Sequence, residues 1–294
     1  MVLKKPDFTR SMRFFQHDSY RCCVASLFFV VIAVFAKTAD GTTAVFPEWD
    51  PSREQTWADQ VTTHLRVGEI VWLPSSIGNF LALSVRAVDR GANHGALILL
   101  PAPDTHPDSD PISTLRTALP LHGWYTLAIQ LPAPLVDSRA ADYVLAIPSA
   151  CARLQEAIAW FNRQLISNVI VLGHGLGAAV AAACVVDIAQ KGSVQGIILL
   201  GAGGTGKLPT ALDTTASLEK ITLPILDIYS DTDRLAVQSA REREAGRRHR
   251  RQPYVQAALP GTGYSFAGAE DLLVARIAAW LNRYVSGEEH KGGE

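Results

Sequence analysis

Short apolar runs rich in β-branched residues alternate along this chain with longer segments in which Ala, Val and Leu recur at helical spacing. Glu69 to Leu73 and Phe80 to Val85 read as two strands of a hairpin. Ala96 to Leu100 reads as a buried strand, followed by a Pro- and Asp-rich loop and a helix around Ile112 to Leu119. A strand is expected over Tyr125 to Gln130, a helix over Ala150 to Gln164, and a strand over Asn168 to Leu172. Beyond a glycine turn come a helix from Ala178 to Gln190 and strands at Gly196–Leu200 and Ile225–Tyr229. A helix over Leu235–Ala245, a strand at Tyr254–Leu259 and a helix over Ala267–Tyr284 complete the series.

A leading antiparallel pair followed by repeated β-α-β units predicts a three-layer α/β fold, its sheet mostly parallel. No internal repeat and no second domain boundary interrupts the pattern. The expected organisation is a signal peptide or N-terminal anchor over residues 1–36 and a polar lead-in over 37–65. A single α/β domain over 66–285 and a disordered tail over 286–294 complete it.

The 294 residues are 48% hydrophobic and 19% charged, with a formal net charge of −1. That composition suits one substantial core and offers nothing to nucleic acid. The N-terminus departs from it. Lys4, Lys5, Arg10, Arg13 and Arg21 precede an uncharged apolar stretch of about 15 residues from Cys22 to Ala36. A positive segment, a short apolar segment and small residues at its end have the form of a secretory signal. The stretch is short for a membrane span, which needs about 20 residues. Export, to the periplasm, is therefore expected, with an uncleaved anchor in the inner membrane as the alternative. Cys151 and Cys184 are expected as two small buried hydrophobes in helices, although an oxidising compartment would permit a bond between them.

Candidate chemistry centres on Gly173-His174-Gly175-Leu176-Gly177-Ala178, between a buried strand and a helix. The letters satisfy the dinucleotide pattern G-x-G-x-x-G/A, and with one substitution the nucleophile elbow G-x-S-x-G, Gly175 standing in place of serine. A dinucleotide fold would place an acid at the end of the next strand, but Gly196–Leu200 ends in Gly201. A second turn, Gly201 to Lys207, nearly matches a phosphate loop, yet Leu208 brings no hydroxyl for magnesium. It reads as a flexible loop.

An elbow predicts an acid and then a histidine downstream. Leu223 to Ser230 is an apolar strand running into Asp231-Thr232-Asp233. Leu259-Pro260-Gly261-Thr262-Gly263-Tyr264-Ser265 lies between the last strand and the last helix. On these motifs the chain resembles the α/β-hydrolase superfamily from about Leu97 to Tyr284. It is similar to an uncharacterised bacterial exported hydrolase-like family with a degenerate catalytic triad. The resemblance puts Gly175, Asp233 and Tyr264 at the nucleophile, acid and histidine positions. Glycine supplies no nucleophile, and a phenol with an ordinary pKa near 10 is a poor base at neutral pH. Pro103 stands where the resemblance expects an oxyanion donor, and proline has no N–H.

The leading expectation is a non-catalytic protein binding a small molecule or an envelope protein. Its old cleft would use His106, His174, Gly175, Leu176, Asp233, Tyr264 and Ser265. Without the serine, a carboxylate or phosphate would approach the free amides at the helix N-terminus. A hydrolase of esters or amides with relocated machinery, on His106, Asp233 or a metal, is the alternative, and a dinucleotide-dependent oxidoreductase a third. No cofactor is expected. Asp104, His106, Asp108 and Asp110 could in principle hold a metal, but alternating Asp and Pro also reads as a solvated loop, and no metal ligand is assigned. The arginines between Arg241 and Arg251 are expected on a charged, solvated helix end. Only about 22 residues separate Leu200 from Leu223, too few for a large lid.

Overall fold

A computed structural model of the chain describes residues 49–88, 94–203, 208–247 and 252–285. The expected signal segment and tail lie outside the described residues, as does 204–207 of the second glycine turn. Among the described residues no helix is long and apolar enough to cross a membrane.

Among the described residues eight strands form one sheet. In chain order they are β1 (Glu69–Ser75), β2 (Gly78–Val85), β3 (Gly95–Leu100), β4 (Trp124–Ile129), β5 (Val169–His174), β6 (Gly196–Leu200), β7 (Ile225–Ser230) and β8 (Tyr254–Leu259). Their spatial order is β1-β2-β4-β3-β5-β6-β7-β8. β1 pairs antiparallel with β2, and β2 with β4. Every later pairing is parallel. This is the mostly parallel sheet with leading antiparallel strands that the sequence pattern predicts.

The strand period of two divides the core. In β3, Ala96, Ile98 and Leu100 face one layer of helices, while Leu97 and Leu99 face the other. The first layer holds α3 (Ile147–Asn162) and α4 (Leu176–Ala189), and the second holds α2 (Ile112–Ala118) and α7 (Glu270–Tyr284). Each fully buried Leu or Ile contributes about 1.5–3 kcal/mol by leaving water. α4 is buried along most of its length, from Gly177 through Ile188. Its run of Ala and Val is apolar nearly all round, as a helix enclosed by its neighbours must be.

Cys151 of α3 and Cys184 of α4 are joined by a disulfide, with Cα atoms 5.2 Å apart. This corrects the expectation of two separate buried thiols. Their spacing along the chain carries no sign of it; the packing of one helix against the other does.

The polar lead-in also differs from expectation in its local form. Pro51–His64 is helix α1. Asp50 caps it, accepting from the amides of Ser52 and Arg53, and Pro51 occupies the first turn, where a missing N–H costs nothing. Its apolar face is thin: Ala58 and Val61 pack on Leu81 and Leu83 of β2. Glu54 does the rest, accepting from Arg153 of α3 and from the Ala133 amide.

Two further helices flank the acid turn, α5 (Thr214–Leu218) and α6 (Arg234–Arg247). On α6 the expected solvated arginines divide. Arg241 is exposed, but Arg243 and Arg247 are buried at 1% and 4% exposure, and 248–251 lie outside the described residues. Positions four apart share one helix face, and here that face is turned inward. Arg243 meets Asp227 of β7 in a bidentate pair at 2.8 and 2.9 Å and donates to the Ala202 carbonyl. Tyr254 and Gln256 of β8 donate to the same Asp227 carboxylate.

Candidate functional site

The glycine turn sits at the carboxyl end of β5, in the middle of the sheet. The ladder runs past the strand: His174 pairs with Leu200, and the Gly175 amide donates to the Leu200 carbonyl. There the chain reverses. Gly175 takes φ 57° and ψ −122°, and α4 begins at the next residue. A positive φ of this kind suits glycine, and it is the sharp strand-to-helix turn of a nucleophile elbow.

The flanking glycines have packing reasons. A Cβ on Gly173 would lie 2.6 Å from the Ala178 Cα, so strand and helix could not approach as they do. A Cβ on Gly177 would collide with the Pro101 carbonyl after β3. Contacts between backbone segments account for the letters that fitted a dinucleotide loop. The strand order also differs from the 3-2-1-4-5-6 arrangement of a dinucleotide fold.

Tyr264 comes back to this turn from the loop between β8 and α7. A Cβ on residue 175 would overlap the tyrosine hydroxyl and lie 2.6 Å from Cζ. The Leu176 amide lies near enough to the same phenolic oxygen to act on it. Burial of the hydroxyl, the nearby Asp104 carboxylate and Asp233 push its pKa up to about 12, against the pull of the Leu176 amide. Tyr264 is therefore a neutral phenol at physiological pH. Tyr264 as a residue keeps 43% exposure, while its hydroxyl abuts Gly175. This arrangement corrects the expectation that glycine leaves open volume beside the helix N-terminus: the phenol stands there.

His174 lies under the tyrosine, ring centroids 4.4 Å apart, with 3% exposure. Its Nε2 is 2.9 Å from the Tyr264 carbonyl, which can only accept, so Nε2 carries the proton. Burial depresses its pKa to about 4, against the pull of that carbonyl and of Asp104. It is a neutral, packed ring that supports the Tyr264 loop.

Asp233 lies near enough to act on Tyr264, but its carboxylate accepts from the Leu235 and Ala236 amides at 3.0 and 3.1 Å at the start of α6. The turns after β7 and β8 are laced together. Asp231 accepts from the Gly261 amide, and the Ser230 and Thr232 hydroxyls both donate to the Thr262 carbonyl. Ser265 is exposed and well short of α7, whose cap position is Ala269, so it neither caps that helix nor joins the enclosed group.

The loop after β3 has its own bonding. His106 Nδ1 accepts from the Asp108 amide, and burial lowers the His106 pKa. Asp108 pairs with the buried Arg116, while Asp110 accepts from the amide and hydroxyl of Thr114. The carboxylates of this loop diverge. Among the described residues no group of three or more His, Cys, Asp or Glu is arranged to hold a metal ion.

The structure places Gly175, His174, Leu176, Tyr264 and Asp233 near one another at one end of the sheet. The sequence reading did not single out Asp104 as the carboxylate that bears on both Tyr264 and His174. The Asp-Pro pattern that marked the loop said nothing of which acid would turn toward the elbow.

The same fold is found in known hydrolases. The dienelactone hydrolase from Anabaena variabilis is 17% identical, with a TM-score of 0.58 over 76% of this chain and 100% of that one. Est1E from Butyrivibrio proteoclasticus, solved with ferulic acid bound, is 11% identical, with a TM-score of 0.58 over 73% and 99%. A serine hydrolase without a lid from Xanthomonas campestris is 13% identical, with a TM-score of 0.56 over 75% and 96%. At these identities the likeness is one of fold. Among curated proteins no match to the sequence was found. The model of the family described as "Protein of unknown function (DUF3530)" matches residues 20–144 and 146–283. The chain belongs to the DUF3530 family, and its fold is that of the α/β-hydrolases.

Proposed function

We propose that this chain is an exported, non-catalytic protein of the α/β-hydrolase fold, acting through binding rather than turnover. The observation that carries this reading is the seat of Tyr264. Its hydroxyl holds the place a nucleophile's side chain would need, close beside the Leu176 amide. Acyl transfer needs a nucleophile, a base and oxyanion donors. Here the first is a glycine, the phenol at the histidine position keeps its proton, and the amide that would serve as a donor has that phenol beside it. Any ligand at this end of the sheet meets the tyrosine ring and Asp104, since the elbow lies behind them. Export draws support from the N-terminal signal pattern and from the Cys151–Cys184 disulfide, a bond that persists in oxidising compartments.

A fluorophosphonate probe and a panel of esters and amides, with and without divalent metals, test the reading on the purified protein. No label and no turnover are expected. Covalent labelling, or turnover abolished by His106→Ala or Asp233→Ala, would overturn it. Cell fractionation of the tagged full-length chain tests export separately, a cytosolic pool with reduced cysteines being the contrary result.

A further inference from the structure

The carboxyl end of the sheet, where the elbow lies, also carries an apolar tip. The loop after β4 turns at Leu135-Val136-Asp137-Ser138, closed by the Ser138 amide donating to the Leu135 carbonyl at 3.2 Å. Asp137 takes φ 64°, a value that several turn types ask of their third residue and that Asp tolerates. Nothing in the turn asks for Leu135 and Val136, which are 49% and 70% exposed. The short helix Ala140–Ala146 packs behind them, Tyr143 donating to the Pro132 carbonyl at 2.9 Å, and it sets Leu145 outward at 56% exposure. Three large aliphatic side chains thus stand in water on two segments bonded to each other.

The α/β domain begins at the same place. Asp50 donates its amide to the Ala133 carbonyl at 2.8 Å, and Arg53 reaches the Pro134 carbonyl at 3.3 Å. The first turn of α1 is therefore fastened to the loop that bears the tip. Upstream in sequence, the uncharged apolar stretch of residues 22–36 is separated from Trp49 by residues 37–48. That connection spans about 40 Å at most, even fully extended. Other exposed aliphatic residues, Val67, Leu121 and Leu165, precede β1, β4 and β5 and so lie at the amino ends of those strands. The chain enters the domain at the end opposite to them.

We propose that the tip is a membrane-docking surface, with Leu135, Val136 and Leu145 inserting into the lipid bilayer to which the N-terminal stretch holds the chain. The inference rests on the export reading with that stretch left uncleaved, and not on the absence of catalysis. Exposed apolar residues bind a bilayer by burying their side chains about 5–10 Å deep, where headgroups meet acyl chains. Three such residues alone make a weak, reversible contact. A tether of this length makes the contact intramolecular, which raises its effective concentration. The tip selects no particular headgroup: Arg139 and Asp142 pair with each other at 2.9 Å, and Asp137 is the other charge between Leu135 and Ala146. Docking is therefore apolar insertion rather than attraction to anionic lipid. In that orientation the carboxyl end of the sheet, with Tyr264 and the elbow, is turned toward the lipid.

The test uses the full-length chain with Cys22→Ser and Cys23→Ser, reconstituted with vesicles of phosphatidylethanolamine and phosphatidylglycerol. A single environment-sensitive NBD fluorophore is attached at Val136→Cys or, as the reference, at Leu165→Cys, a position 95% exposed at the amino end. Both proteins are expected to float with the vesicles. The probe at residue 136 is expected to emit to the blue of its position in water, and to lose more than about half its intensity to doxyl lipids quenching near the headgroup. The probe at residue 165 is expected to keep the emission it has in water. Leu135→Asp together with Leu145→Asp, both at exposed positions, is expected to abolish the shift at residue 136 while flotation is unchanged. A chain that does not float overturns the proposal together with the anchor. Flotation with the probe at residue 136 in water, or with both probes equally quenched, overturns the docking and leaves the anchor standing. So does a shift at residue 136 that survives the two aspartates. Export is read separately by cell fractionation, and catalysis by fluorophosphonate labelling, so each assignment can fail alone.

Discussion

The phenolic oxygen of Tyr264 overlaps the position that a Cβ on residue 175 would take. The two positions are therefore coupled. A larger residue at 175 requires the tyrosine to leave, and the tyrosine in turn requires a residue without a side chain at the tightest point of the turn.

That coupling is measurable. Gly175→Ala is expected to destabilise the fold by about 2–4 kcal/mol, from the positive φ of 57° and the collision with the hydroxyl. Adding Tyr264→Ala removes the collision and leaves only the backbone strain. The double variant should then lose at least about 1 kcal/mol less than the sum of the single ones in urea denaturation. Additivity within about 0.5 kcal/mol would show that the contact has no energetic meaning.

His174 gives the protein an acid-sensitive element. Its folded pKa of about 4 lies below the value of 6.5 for an ordinary histidine. The unfolded chain therefore binds the proton first, and stability falls as the pH drops below 6.5, levelling near the folded pKa. The slope approaches about 1.4 kcal/mol per pH unit, and the total is about 3 kcal/mol. His174→Gln, which keeps a donor for the Tyr264 carbonyl, should lose this part of the pH dependence. Parallel urea-midpoint curves for the two proteins between pH 7 and pH 4 would contradict the assignment.

Asp227 and Arg243 form a buried pair whose members cannot be removed singly without leaving a charge in the core. Asp227→Asn is expected to cost about 3–5 kcal/mol, since Arg243 would keep its burial and lose its counter-ion. Arg241→Ala, on the exposed side of the same helix, should change stability by no more than about 0.5 kcal/mol. Equal thermal shifts for the two variants would mean that the buried network carries no special weight.

Much of the architecture is legible in the pattern of apolar residues. β3, β5, β6 and the flanking helices announce themselves because a strand buried on both faces is apolar throughout, and a helix on a sheet repeats its apolar face every turn. α1 is harder to see. Only Ala58 and Val61 are buried on it, and Glu54, which reads as a surface acid, is the residue that ties it to α3. The arginines of α6 mislead for the same reason: a charge reads as solvent-facing until its partner, here Asp227 sixteen positions earlier, is known to lie opposite. Neither pairing is visible locally, because the partners meet only after the sheet has formed.

The order of motifs along the chain, an elbow turn, an acid turn and a last loop before the final helix, determined the superfamily of the fold and the residues that meet at one end of the sheet. These follow from local backbone preference and hydrophobic period, which act over a few neighbours. Tertiary structure alone decided what fills the space above Gly175, that Cys151 reaches Cys184, and that Glu54 of the lead-in meets Arg153. Such relationships depend on distances between segments far apart in sequence. A missing side chain can be read from the letters; whether the gap stays open or is closed by Tyr264 is settled only by packing.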